Sequence, residues 1–119
     1  MRFIHETGFN VKIGKEEAYQ KWLAENEADL AAAHPPGSKY LGTFVVFFTS
    51  EKEAGFYRSI HEHDSHAAID AHEALVKDEK SELGRLVREE SQFIDYDPNA
   101  LWSNGLYKLV VDAAIFDPK

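Results

Sequence analysis

The sequence predicts an α+β fold with the element order β-α-β-β-α-β, and three observations carry that prediction. The period of the apolar residues switches several times between two and the helical 3.6. A cluster of helix breakers, His34-Pro35-Pro36-Gly37, separates the first helical stretch from the next extended one. The 119 residues fit one domain, residues 1–119, because domains most often run ~100 to 150 residues.

The elements follow in order. Phe3, His5, Thr7, Phe9, Val11 and Ile13 share one face of a period-two segment whose other face carries Arg2, Ile4, Glu6, Gly8, Asn10 and Lys12, which reads as the first strand. From Lys15 to Ala33, the residues Ala18, Tyr19, Trp22, Leu23, Leu30 and Ala33 keep helical spacing, and Glu16 and Glu17 stand near the positive end of the helix dipole. The run Tyr40 to Phe48 is apolar on both faces, whereas a strand with one wet side alternates, so both its sides must be covered. After a turn at 49–54, the third strand, Gly55 to His63, sets Tyr57, Ser59, His61 and His63 on one side and Phe56, Arg58, Ile60 and Glu62 on the other. Asp64 or Ser65 suits an N-cap for a helix over Ser65 to Val76. A further helix, Glu79 to Phe93, is weakened by Gly84; Asp95 to Asn99 is a loop, and Leu106 to Phe116 closes as the fourth strand. No repeat, low-complexity tract or linker interrupts this order.

Such an order is that of a ferredoxin-like split unit, an antiparallel sheet of order 4-1-3-2 with its helices on one face. The other face is then open. Together with the two-sided apolar strand Tyr40 to Phe48, this predicts that a second copy covers it and that the protein is a homodimer.

Composition excludes several classes. A formal net charge of −8 leaves no Lys/Arg stripe to neutralise phosphates, which argues against nucleic acid and anionic lipid as partners. With no cysteine there is no disulfide framework and no thiolate site, so any metal must bind through His and carboxylates. No stretch approaches the ~18 apolar residues of a membrane span, and the first residues lack a signal peptide's apolar run. A soluble, cytoplasmic protein is expected.

The element order, with the stretch Ile60-His61-Glu62-His63-Asp64-Ser65-His66-Ala67-Ala68 where a strand passes through a His-Asp-Ser turn into an alanine-rich helix, resembles the dimeric α+β barrel superfamily. That superfamily includes antibiotic-biosynthesis-type monooxygenases, stress-responsive barrel proteins, polyketide cyclases and NIPSNAP-like proteins, the last giving the nearest local match. The resemblance implies a small apolar or aromatic ligand held between sheet and helices, with several members working without any cofactor. The family's usual arginine early in this helix is replaced by Ile69-Asp70-Ala71-His72, so no single member's chemistry carries over. Haem degradation is disfavoured as well, because Thr7 stands about where that reaction's strand-one Asn would be.

Histidine supplies the candidate chemistry. Four of the six histidines, His61, His63, His66 and His72, fall where the third strand runs into the following helix. Imidazole titrates nearest to neutrality and is the commonest metal ligand. If the third strand lies antiparallel beside the first, His5 meets His61 and His63, while His72 shares the inward stripe of its helix with Ala68, Leu75 and Val76. The leading expectation is therefore a cofactor-independent enzyme performing an oxygenation, an isomerisation or a cyclisation. In it His72 accepts a proton, His5 or His61 donates or orients, Tyr57 or Tyr107 holds a substrate oxygen, and Phe3, His63 and Trp102 line the pocket. A second expectation is a site for zinc, copper, nickel or iron on His61 and His63 with His5 or His66. The third is a non-catalytic ligand-binding or stress-related dimer. Tyr19 and Trp22 read as core, and the acidic stretches Glu25 to Asp29 and Lys77 to Glu82 as solvated helix faces.

Overall fold

A computed structural model of the chain describes residues 2–110. Its elements are β1 (Phe3–Phe9), α1 (Glu16–Ala32), β2 (Ser38–Val45), β3 (Tyr57–His63), α2 (His66–Lys77), α3 (Glu82–Ser91) and β4 (Ser103–Lys108). The four strands form one antiparallel sheet of order β2-β3-β1-β4, the expected order read from its other edge. This is a ferredoxin-like α+β fold with every helix on one face of the sheet.

Several boundaries differ from the sequence reading, each for a local reason. Strand β1 stops at Phe9 rather than Ile13, because Asn10 turns aside to accept the Phe56 amide and Lys12 donates its own amide to the Phe93 carbonyl at 2.8 Å. Val11 keeps only an isolated bridge to Ile94, and Ile13 is fully exposed. Strand β2 begins at Ser38 and ends at Val45, bulging between Tyr40 and Gly42, whose φ of +135° suits glycine. Phe47 and Phe48 lie past its end and are exposed.

Helix α2 starts as expected, with Ser65 rather than Asp64 as the cap: its hydroxyl accepts the Ala68 amide at 3.1 Å. Ser81 caps α3 in the same way, accepting from Gly84 at 2.9 Å, so that helix begins at Glu82 instead of Glu79. Gly84 is required by close packing, since a Cβ there would stand 2.1 Å from the Asp78 carbonyl oxygen. Strand β4 begins at Ser103, before the expected Leu106, because Ser103 and Asn104 already pair with Gly8 and Thr7 of β1. The expected continuation to Phe116 lies, from residue 111 onward, outside the described residues.

Two apolar clusters hold the helices down. Phe9, Val11, Tyr19, Tyr57 and Ile94 form one, with Trp22 packed against it, and Leu30, Leu83 and Leu86 form the other. Tyr19 is a core residue, as the helical spacing implies, and Trp22 packs, partly buried, against the same cluster; fully burying a large apolar side chain contributes about 1.5–3 kcal/mol. Register then sets the rest: His5 lies opposite His61, Phe3 opposite His63, and Asn104 opposite Thr7 on the β4 side. In each strand the residues in phase with Phe9 and Tyr57 face the helices.

Candidate functional site

Five histidines gather under the helices. The ring centroids of His34, His61 and His72 form a near-equilateral triangle, with sides of 5.1, 5.2 and 5.0 Å. His5 stands 6.2 Å from both His61 and His63, and His63 stands 5.2 Å from His72. Two strands, one helix and the end of another supply them. His5 comes from β1, His61 and His63 alternate inward on β3, His72 lies on α2, and His34 follows the last turn of α1.

Hydrogen bonds settle which ring nitrogens carry protons. His34 Nδ1 lies 2.7 Å from the Leu30 carbonyl, which only accepts, so Nδ1 holds the hydrogen and Nε2 keeps a lone pair. His63 Nδ1 lies 2.7 Å from Ser38 Oγ, and that hydroxyl in turn donates to the Ala68 carbonyl at 3.4 Å. His63 Nδ1 is therefore the donor. His5 Nε2 donates to Asn104 Oδ1, which leaves its Nδ1 as the acceptor when the ring is neutral. Two buried nitrogens, His34 Nε2 and His61 Nδ1, have no hydrogen-bond partner among the described residues.

Burial and mutual repulsion keep the deep rings uncharged. Desolvation first, then the neighbouring His34, His72, His5 and His63, push His61 down to about 3. Desolvation, then His34, His63 and His5, push His72 down to about 4. His34 is lowered by burial, with the Leu30 carbonyl pulling the other way; His63 is lowered by burial and by His5 and His34, against Asp64 and Glu73. At neutral pH the deep rings offer lone pairs rather than charge.

Two cavities open on this cluster. The larger, about 570 Å³, is lined by His5, His63, His72 and Asn104, the apolar Ile69, Val76 and Leu106, and the charged Glu73 and Lys77. A smaller one of about 260 Å³ lies against His34, His61, Tyr40, Glu90 and Trp102. His5 and His72 line both. Burial pushes the Glu90 carboxyl up, although the Tyr19 hydroxyl donates to it at 2.8 Å and pulls it back.

The four histidines singled out from the sequence for chemistry, His5, His61, His63 and His72, thus come together, and His63 lines the larger cavity. Others sit elsewhere. Tyr57 is buried in the core between Phe9 and Tyr19, its hydroxyl accepting from Gln20 Nε2 at 3.3 Å, and it lines neither cavity. Phe3 is buried against the His66 ring and lines neither cavity, while Trp102 lines the smaller one, half exposed beside Tyr96. Tyr107 pairs with Ile4 and so faces the opposite side of the sheet. His66 is exposed, outside the cluster.

Among the described residues, the group whose ligand atoms all lie within 4.8 Å of one another is His34, His61 and His72. Of the metal set expected from spacing, only His61 belongs to it. His63 is turned to Ser38, and His5 to Asn104. In sequence His34 reads as part of a breaker cluster; its signal is a histidine four residues after Leu30, where its ring can cap the helix carbonyl. Asn104 reads as a turn residue, and only strand pairing aims it at His5.

Comparison with known proteins adds the fold. No protein-family model matches the sequence, and no curated protein matches it. Solved structures do. A NIPSNAP family protein from Agrobacterium tumefaciens superposes with a TM-score of 0.62 at 17% identity, over 94% of this chain and 95% of that one. An uncharacterized NIPSNAP-like domain protein from Burkholderia xenovorans gives 0.64 at 10% identity, over 99% and 90%. A dimeric ferredoxin-like protein of unknown function from Thermobifida fusca gives 0.64 at 11%, over 92% of each chain. At these identities the likeness is one of fold, in agreement with the resemblance read from the strand-three turn. No helix among the described residues is long and apolar enough to cross a membrane.

Proposed function

We propose that the chain is a small-molecule enzyme of the proton-transfer type, an isomerase or cyclase acting on a largely apolar compound in the larger cavity. The observation that carries this reading is the His5–Asn104 pair on the wall of a cavity of about 570 Å³ that also presents the apolar Ile69, Val76 and Leu106, with His63, His72, Glu73 and Lys77 as its other polar groups. Asn104 fixes the ring and its tautomer, so His5 Nδ1 is the proton acceptor and Asn104 a positioning residue. His72 is the weaker choice of base, because an imidazole held at about 4 gains little by taking a proton near neutral pH. A proton transfer needs no electron carrier, in keeping with the resemblance's cofactor-free members. The absence of cysteine is consistent with a cytoplasmic setting.

A generic probe tests this without knowledge of the substrate. The base-promoted ring opening of 5-nitrobenzisoxazole, an apolar aromatic compound, is expected to run faster with the protein than with equimolar free imidazole, and to lose most of that excess in His5→Ala. Equal rates for the two proteins would remove the reading.

The same reading includes a homodimer. Phe44 pairs with Arg58 on the sheet face away from the helices and is 50% exposed, with Leu41, Phe56 and Tyr107 also exposed. That face suits a second copy, and a ferredoxin-like protein of the same fold is dimeric.

A further inference from the structure

We infer that His34, His61 and His72 form a three-imidazole site for a divalent transition-metal ion, zinc in the first instance, with its open position toward the smaller cavity. This goes beyond the proton-transfer reading, since it holds whether or not the larger cavity turns anything over. Three independent observations converge on it.

Geometry comes first. The ligand atoms of the three rings lie within 4.8 Å of one another, and the three centroids are 5.0 to 5.2 Å apart. Zinc–nitrogen bonds of about 2.0–2.1 Å in a tetrahedral site place ligand atoms ~3.3 Å apart, so binding requires the rings to close by up to about 1.5 Å, the scale of a side-chain rotation.

The second observation is the pair of orphaned nitrogens. His34 Nε2 and His61 Nδ1 are buried with no hydrogen-bond partner among the described residues, a condition that is costly unless something accepts their lone pairs. For His34 the lone pair is assigned by chemistry rather than assumed, because Nδ1 must donate to the Leu30 carbonyl. A metal-bound imidazole almost always donates its other nitrogen to a carbonyl or carboxylate in this way.

Third, the donor set suits the ion and leaves room for exchange. Burial keeps the rings in the neutral form that ligates. An all-imidazole set favours zinc, copper, nickel or iron over magnesium or calcium, which prefer oxygen. All three rings line the cavity of about 260 Å³, so a fourth position remains for water or a small ligand.

The experiment uses the full chain with any affinity tag removed, stripped with EDTA and dialysed, then titrated with Zn(II) by calorimetry and with Co(II) by visible absorption. One ion per chain and a tetrahedral Co(II) spectrum are expected. His34→Gln and His61→Gln should each weaken binding at least about 100-fold, while His66→Gln on the exposed surface changes it less than about threefold. Binding that is absent, unchanged in His34→Gln, or lost equally in His66→Gln overturns the site. Should the Gln variants fail to fold, ¹⁵N NMR of the unaltered chain decides: zinc must shift His34 Nε2 and His61 Nδ1, and a shift confined to other imidazoles overturns the proposal. Repeating the 5-nitrobenzisoxazole assay on zinc-free protein keeps the two readings separate, because loss of the metal site leaves His5 and Asn104 in place.

Discussion

His34 Nδ1 donates to the carbonyl of Leu30, four residues earlier, at 2.7 Å. A side chain thus closes the C-terminal end of α1 where free carbonyls need partners, and the same bond leaves the buried Nε2 as the nitrogen His34 has free in its cluster with His61 and His72. The tautomer is a direct consequence. In ¹⁵N NMR of metal-free protein at neutral pH, His34 is expected as the Nδ1–H form; an Nε2–H form would break the link between helix end and site.

Acid should unfold the metal-free protein through the same rings. His61 and His72 are held at about 3 and about 4, below the ordinary 6.5, so between those values and 6.5 the unfolded chain binds protons that the folded chain does not. Stability is therefore full above about 6.5 and falls as pH drops toward 4, with a slope of about 1.4 kcal/mol per pH unit for each such ring. Denaturant titrations from pH 7 to 4 measure it, and His61→Gln should make the slope shallower; a slope no different from wild type contradicts the assignment.

Ser38→Ala removes the hydroxyl that both accepts from His63 Nδ1 and donates to the Ala68 carbonyl, in a position 8% exposed. His63, 1% exposed, is then left with an unsatisfied donor. The expected loss is about 1–3 kcal/mol of unfolding free energy. Chemical denaturation checks it, and a change under about 0.5 kcal/mol would mean that the Ser38–His63 bond contributes little.

Gly84→Ala separates packing from helix propensity. In an open helix the change stabilises by about 1 kcal/mol, but here the new methyl would stand 2.1 Å from the Asp78 carbonyl oxygen. A net destabilisation of about 1–3 kcal/mol is expected from thermal or urea unfolding. Net stabilisation would show that the turn between α2 and α3 yields easily.

Phe44→Asp probes the open sheet face. Light scattering on the eluting peak should give twice the chain mass for wild type and a shift toward the single-chain mass for the variant, with the helical content unchanged by circular dichroism. A wild-type monomer refutes the dimer.

Most of the fold is legible in the sequence, because strand and helix periodicity are local properties: the alternation from Phe3 to Phe9 and the spacing of Tyr19, Trp22 and Leu30 report which faces are buried before any partner is known. The antiparallel placing of His5 beside His61 also follows from element order. The assembly of the site does not. His34 lies in a breaker loop and Asn104 in what reads as a turn, and only the helix end at Leu30 and the β1–β4 register bring them to His72 and His5. Tyr57 shows the reverse: sequence puts it on the same face as His61, and tertiary packing closes Tyr19 and Phe9 over it. A side chain's direction is set by its own strand or helix, whereas what stands within 5 Å of it depends on how distant elements dock, and periodicity holds no record of that.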